Sequence, residues 1–163
     1  MTPFIDWLTA TPLSDAIKVH AWAVPVIQTV HILAIAVLMG TVLIVDLRLV
    51  GLGGRSQRIG HVARRYLPWF WAAFAVLAVT GALMVIGEPS RELLNPSFWL
   101  KMKLLIVALV VTGTFSLLVW NRADHLDDNP RARRIAALLA VGMLLVFVAI
   151  IFAGRFIAYT IEN

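Results

Sequence analysis

The sequence predicts an all-α integral membrane protein, a four-helix bundle preceded by an N-terminal interfacial amphipathic segment. Hydrophobic residues make up 61% of the 163 residues and charged residues only 14%, whereas a soluble domain averages about 25% charged residues. Mean hydropathy is +0.88. Four apolar stretches each reach the roughly 20 residues that cross a hydrocarbon layer of about 30 Å. We therefore expect a single transmembrane domain surrounded by a lipid bilayer.

The first predicted element covers residues 3–22, where apolar side chains stand beside charged ones such as Asp6 and Lys18. Such a mixed pattern is typical of an amphipathic helix lying at the headgroup level. Ser14 or Asp15 is the predicted cap of a short helix that runs to the end of this segment.

Four spans follow, and prolines and polar residues indicate where they begin. Pro25 fits the first turn of the first span, because the backbone N–H groups there have no helical partners. Asn95 followed by Pro96 is a helix-start signal for the third span. The four predicted spans are residues 23–45, 67–86, 98–120 and 135–156. Two basic loops are predicted at residues 46–66 and 121–134.

The distribution of basic residues predicts the orientation of the chain. The side that holds the two basic loops has nine: Arg48, Arg55, Arg58, Arg64, Arg65, Arg122, Arg131, Arg133 and Arg134. The other side has five: Lys18, Arg91, Lys101, Lys103 and Arg155. Cytoplasmic loops are enriched in Lys and Arg, so we expect both termini outside a bacterial cytoplasmic (inner) membrane. Topology accounts for the basic excess, and we expect no nucleic-acid partner.

Several kinds of chemistry are excluded by residue content. There is no cysteine, which excludes disulfides, thiolate metal sites and cysteine nucleophiles. The sequence also lacks a nucleophile triad and a glycine-rich phosphate loop.

Alanines recur at helical spacing in two of the spans. They are Ala75, Ala78 and Ala82 in the second span and Ala136, Ala140, Ala149 and Ala153 in the fourth. Small residues at such spacings let membrane helices approach each other closely. We predict that these alanines lie in helix–helix contacts.

Polar side chains inside the spans fall at one depth. With a helical rise of about 1.5 Å per residue, His31 lies about 9 Å below the outer boundary, and Lys101 and Lys103 lie about 8 and 10 Å below it. Thr80 belongs to the same level, and Arg155 closes the fourth span just above it. An ionisable group inside a span usually faces the bundle and marks a functional site. We therefore expect a polar layer in the outer leaflet.

His31 is the central candidate in this layer, with Gln28 one turn earlier on the same helix. The structural interpretation is a neutral imidazole that is hydrogen-bonded to Thr80 or Gln28. The functional interpretations are an axial ligand of a haem iron and a proton-relay group. His20 lies about 16 Å higher by helical rise, so it cannot share an iron with His31.

The two lysines of the third span point in different directions, because they are about 200° apart on an ideal helix. Lys101 shares its face with Ala108 and Thr112, whereas Lys103 shares its face with larger valines. This comparison favours Lys101 as the lysine that faces the bundle. Extension of the side chain to the headgroups is the structural alternative for both lysines and for Arg155.

Asp46 and Arg48 close the first span at its inner end. Charged residues at this depth are normally paired or reach the headgroup region. We predict that they pair with each other, with another helix end or with lipid headgroups.

Two runs of residues resemble a known group of membrane proteins. The runs are HILAIAVLMGTVLIVDLR in the first span and FWLKMKLLIVALV in the third. They resemble the HemJ-type protoporphyrinogen oxidases and the related CopD-like and cytochrome b561-like four-span proteins. This resemblance implies a haem-associated oxidoreductase in which His31 is the first-span histidine and Lys103 the third-span lysine near the porphyrin. A group of uncharacterised small bacterial four-span proteins is more similar to this sequence in the runs WAVPVIQTVH and DLRLVGL. This second resemblance implies a fold and a topology, and it implies no activity.

The leading functional prediction is a redox protein that binds haem b or a porphyrin in the outer leaflet. His31 is the predicted iron ligand, Lys101 or Lys103 would hold a propionate or an anionic substrate, and Gln28 and Arg155 complete the predicted cofactor-binding residues. The iron would be bound by His31 alone, by His31 with a lysine or a methionine such as Met84 or Met102 opposite, or by His31 with its copy in a homodimer. A homodimer or a membrane redox partner is the expected protein partner. The alternative is a non-enzymatic accessory subunit or small transporter, in which His31 and the lysines form a buried polar network.

Overall fold

The computed structural model describes residues 2–52 and 58–156, except for the side chains of residues 2 and 118–128. Seven helices form in this part of the chain. They are α1 (Thr2–Thr9), α2 (Pro12–Val19), α3 (Ala23–Val50), α4 (Ile59–Gly87), α5 (Pro89–Leu93), α6 (Pro96–Asp128) and α7 (Pro130–Phe156).

Helices α3, α4, α6 and α7 are long and apolar enough to cross a membrane. In the most apolar stretch of 18 residues in each helix, only 11% to 28% of the residues are buried inside the protein. Large apolar side chains such as Ile32, Leu138 and Phe152 are therefore exposed. Such a surface would associate in water but is the normal exterior of a membrane bundle. The predicted all-α integral membrane four-helix bundle is confirmed, with the lipid bilayer as its surroundings.

The four long helices form a ring in chain order. Among the described residues, α3 contacts α4 and α7, and α6 contacts α4 and α7, so α3 lies diagonally across from α6. One end of the ring carries α1, α2 and α5, and we call it the α5 end. The other end carries Gly51, Arg58 and Asn129, and we call it the Asn129 end.

Two apolar clusters fill the interior. The cluster near the Asn129 end consists of Val45, Leu49, Ile59, Ala63, Leu67 and Ala136. The central cluster consists of Leu38, Phe70, Ala73, Ala108, Met143, Phe147 and Ile150. Within it, the rings of Phe70 and Phe147 meet edge to face across the α4–α7 diagonal, with centroids 5.9 Å apart, a favoured aromatic geometry. The central cluster separates the polar side chains at the two ends of the bundle.

The first predicted loop, residues 46–66, is mostly helical. Helix α3 continues through charged residues to Gly51, whose φ of 90° is the left-handed conformation that favours glycine at a helix end. Helix α4 begins well before Pro68, which lies inside it. Residues 53–57 of this predicted loop lie outside the described residues. Both helices extend beyond the predicted spans, because charged residues can continue a helix after its apolar stretch ends.

The second predicted loop, residues 121–134, is also mostly helical. A single residue, Asn129, separates α6 from α7. Its Oδ1 accepts the backbone N–H groups of Arg131 at 3.0 Å and Ala132 at 3.2 Å. Asn129 is therefore the N-cap of α7, and Pro130 occupies the first helical position, where proline is favoured.

The N-terminal segment forms two short helices at the α5 end. The cap of α2 is Thr11, whose Oγ1 accepts the backbone N–H of Ser14 at 3.3 Å. The prediction of Ser14 or Asp15 as the cap was therefore wrong. Helix α2 lies close against α4, since a Cβ atom added to Gly87 would lie 2.9 Å from Cγ2 of Ile17.

The start of α6 agrees with the helix-start signal in the sequence. Oδ1 of Asn95 accepts the backbone N–H of Ser97 at 2.9 Å, as expected of an N-cap. Nε1 of Trp99 donates to the carbonyl oxygen of Leu93 at 3.0 Å. This bond ties α5 to the first turn of α6 and so fixes the position of α5 at this end of the bundle.

Candidate functional site

His31 is held by a hydrogen bond from α3 to α4. Its Nδ1 lies 2.7 Å from Oγ1 of Thr80, and the Thr80 hydroxyl donates to the carbonyl oxygen of Val76 at 2.7 Å. Because a hydroxyl has one proton to donate, Thr80 accepts from the imidazole, and we assign the proton of neutral His31 to Nδ1. Nε2 keeps its lone pair and has no hydrogen-bond partner among the described residues. The ring lies beside α4, since a Cβ atom on Gly81 would be 3.7 Å from Cε1.

Lys101 is the lysine that α6 turns toward the bundle. Its side chain runs along Gly154 of α7, where an added Cβ atom would lie 3.8 Å from Cδ, Cε and Nζ. Its ammonium group interacts electrostatically with His31 and with Glu92. Lys103 has an exposed side chain. The comparison of helix faces thus favours the inward lysine, whereas the resemblance to the oxidases pointed to the outward one.

Glu92 on α5 adds a carboxylate that sequence reasoning missed. Burial raises the pKa of Glu92 above its ordinary value of 4.5, and Glu88 adds to this effect, whereas the positive charges of Lys101 and Arg91 oppose it. Arg91 is paired with Glu88 at 2.6 Å. Glu92 lies in a connection between two spans, where no periodicity indicates which way a side chain points.

The other two predicted cofactor-binding residues have exposed side chains. Gln28 lies one turn before His31 on α3, and Arg155 lies in the last turn of α7. The hydrogen-bond partner of His31 in the described structure is therefore Thr80 and not Gln28. The α5 end brings together His31, Thr80, Lys101 and Glu92.

Asp46 lies near the Asn129 end, and its side chain is 6% exposed. Its Oδ2 has no hydrogen-bond partner among the described residues. The predicted pair with Arg48 is not formed, because residues two apart on a helix point about 200° apart. Helix α7 adds a further cation at this end of α3, where Nε of Arg133 donates to the carbonyl oxygen of Leu49 at 3.3 Å.

Fold and site together define an integral membrane four-helix protein with buried ionisable groups at each end of its bundle. The chain belongs to the family of unknown function DUF6644, which it matches over residues 4–160. No curated protein and no solved structure matches it significantly. The resemblance to uncharacterised small membrane proteins agrees with this family, whereas no similarity to the HemJ-type or CopD-like proteins is shown.

Replacing Thr80 by Val should destabilise the protein. The substitution keeps the shape of the side chain but removes the acceptor of the His31 Nδ1–H group, and an unsatisfied buried donor costs about 1–3 kcal/mol. The free energy of unfolding in mixed micelles measures this loss. Thr114→Val is the matched control, because Oγ1 of Thr114 bonds only to the carbonyl oxygen of Val110, at 2.8 Å on an exposed face. Equal effects of the two substitutions would contradict a stabilising His31–Thr80 bond.

The raised pKa of Glu92 predicts that the contribution of this residue to stability declines as pH rises. The folded protein holds the carboxyl proton more tightly than the unfolded chain, whose carboxyl has the ordinary pKa of 4.5. The contribution of Glu92 to stability is therefore greatest below pH 4.5 and falls until the pH passes the raised pKa of the folded state. Comparing the thermal unfolding midpoints of the wild type and Glu92→Gln at each pH isolates this contribution, and the wild-type midpoint should fall relative to that of the variant from acidic to neutral pH. Asp15→Asn, at an exposed position on α2, should show no such trend relative to the wild type.

Proposed function

We propose that the protein relays protons at the α5 end, as a small transporter or as a non-enzymatic accessory subunit of a membrane complex. The observation that carries this proposal is the grouping of three titratable side chains from three helices. Glu92 lies at the end of the bundle, Lys101 interacts with it from α6, and His31 follows inside the bundle. Chains of acidic, basic and imidazole groups within spans are typical of proton relays in pumps and transporters.

Each side chain has a distinct part in the relay. Glu92 exchanges protons with water at the bundle end, and Lys101 passes them toward the lone pair on Nε2 of His31. Thr80 keeps the other ring nitrogen protonated, so that Nε2 remains the acceptor. No direct hydrogen bond joins Glu92, Lys101 and His31 in the described structure, so water has to bridge them.

The proposed setting is a bacterial cytoplasmic membrane with the α5 end outside. This orientation is supported by the nine basic residues on the side of the Asn129 end, against five on the other side. Glu92 would then exchange protons with the external medium.

Proton flux into liposomes tests this function. Purified protein is reconstituted around a pH-sensitive dye, and a membrane potential is imposed. His31→Gln retains a hydrogen-bonding side chain but cannot take up a proton, so its flux should fall toward that of protein-free liposomes. His61→Gln is the matched control, because His61 is exposed on α4 near the Asn129 end. Unchanged flux in His31→Gln, or wild-type flux equal to that of protein-free liposomes, would refute the relay.

Haem or porphyrin binding is the second candidate, and the tautomer of His31 favours it. A metal-binding histidine usually donates one ring N–H to a neighbouring group and binds the metal through the other nitrogen. His31 has this arrangement toward Thr80. Lys101, at the same level, would hold a propionate of haem b or a porphyrin. A second axial ligand would come from the dimer-related His31, and electrons from a membrane redox partner.

An absorption spectrum separates the two candidates. Protein purified after expression with added haem should show a Soret band if His31 binds haem iron, and His31→Ala should lose that band. The absence of a Soret band from wild-type protein would refute haem binding, and a band retained in His31→Ala would remove His31 as the ligand.

A further inference from the structure

A separate cavity lies near the Asn129 end of the bundle, beyond the central apolar cluster. Its volume is about 610 Å³, and all four long helices contribute to its wall. Cavities that bind small molecules commonly measure about 300–1,000 Å³. The wall is mainly apolar and includes Leu67, Phe70, Phe115 and Met143. A hydrophobic ligand of moderate size would fill this space.

Asp46 is the only carboxylate among the described residues that line the cavity. Its buried Oδ2 atom has no hydrogen-bond partner among the described residues, and an unpaired buried charge or polar group is costly. The hydroxyls of Thr41 and Thr114, which also line the cavity, donate to backbone carbonyl oxygens at 2.7 and 2.8 Å. Their protons are therefore already engaged. The hydroxyls of Tyr66 and Thr112 belong to residues that line the cavity too, but neither donates to Oδ2 of Asp46. A donor supplied by a ligand would satisfy Asp46.

The exposed part of the wall indicates how a ligand reaches the cavity. Val110 of α6 and Ile135 and Leu139 of α7 line it, and each is more than half exposed. These apolar side chains belong to the bundle surface that the bilayer covers. A ligand that approaches over this surface must itself partition into lipid.

We propose that this cavity binds a lipophilic cation, specifically a hydrophobic molecule with one protonated amine. The ammonium group would donate to Oδ2 of Asp46, and the apolar body would lie against Phe70 and Phe115. A metal ion fits this wall poorly, because Ca²⁺ takes about 6–8 oxygen ligands and the described residues contain no group of three metal-binding side chains. The inference is independent of the proton relay at the α5 end.

Three naphthalene probes of similar size test the ligand class. They are 1-naphthalenemethylamine, a cation at neutral pH, 1-naphthalenemethanol, which is neutral, and 1-naphthaleneacetate, an anion. Binding is measured to the full chain in nanodiscs of zwitterionic lipid, with partitioning into empty nanodiscs subtracted. The amine should bind most tightly and the acetate most weakly. Equal or tighter binding of the alcohol or the acetate would overturn the proposal without any variant.

Substitutions then test the site. Asp46→Asn should weaken amine binding about tenfold to a hundredfold, the range expected for a lost hydrogen bond to a charged group, and should weaken alcohol binding less. Asp15→Asn, which changes an exposed carboxylate on α2, should leave amine binding unchanged. Ala140→Phe adds a ring to the cavity wall and should abolish binding of all three probes. Amine binding that is unchanged in Asp46→Asn or in Ala140→Phe would contradict the proposed site.

Discussion

Phe147→Ala is expected to destabilise the protein by about 3–5 kcal/mol, the usual cost of removing a buried phenyl ring. Phe147 is 5% exposed and packs edge to face on Phe70 across the α4–α7 diagonal. Its removal leaves a void at the centre of a ring of four long helices, where collapse would require a helix to move. Unfolding in mixed micelles of increasing SDS content measures the change.

The same substitution should raise proton leak across liposomes, since the central cluster separates His31 from the cavity that Asp46 lines. Phe152→Ala provides the control on the same helix, because Phe152 is 61% exposed on the lipid-facing surface. Its cost should be small and its leak unchanged. If both alanine variants lose the same stability, the interior does not depend on the aromatic pair.

Lys101→Met is expected to increase stability while abolishing the proposed relay. Burying an ammonium group away from water is costly unless it is closely paired, and Lys101 forms no ion pair within 4 Å among the described residues. Methionine can follow the path of the lysine stem along Gly154. The free energy of unfolding and the liposome proton flux should therefore change in opposite directions.

Lys103→Met is the control for this experiment. It makes the same chemical change two residues away on an exposed face of α6, and it should leave both the stability and the flux near the wild-type values. If Lys101→Met instead lowers the free energy of unfolding, the attraction between the Lys101 ammonium group and Glu92 is stronger than the cost of burying that ammonium group.

The fold could be predicted because the bilayer constrains span length and backbone hydrogen bonding so strongly. Which face of each helix packs inward could be predicted only in part. Helices that are apolar all round carry little amphipathic signal, and small residues recur on several faces. Of the alanines predicted to lie in helix contacts, Ala136 and Ala153 are buried, whereas Ala75, Ala78 and Ala82 are exposed.

The part of the candidate site that could be predicted is the depth of its side chains in the membrane. The helical rise placed His31 and Thr80 at one level, and they are hydrogen-bonded in the structure. The contribution of Glu92 was not predictable, because the orientation of α5 depends on contacts distant in sequence. The lack of a hydrogen-bond partner for Oδ2 of Asp46 among the described residues was also missed, since Arg48 nearby suggested an ion pair that helix geometry does not allow.

The ring is built from two consecutive helical hairpins, α3–α4 and α6–α7, and the most extensive contacts lie within each hairpin. Both polar sites span the seam between the hairpins: His31 interacts with Lys101 across it, and Asp46 shares its cavity with residues of α6 and α7. A relative tilt of two such bodies disturbs fewer contacts than the opening of either one. We therefore expect a tilt of one hairpin against the other to alter both polar sites together.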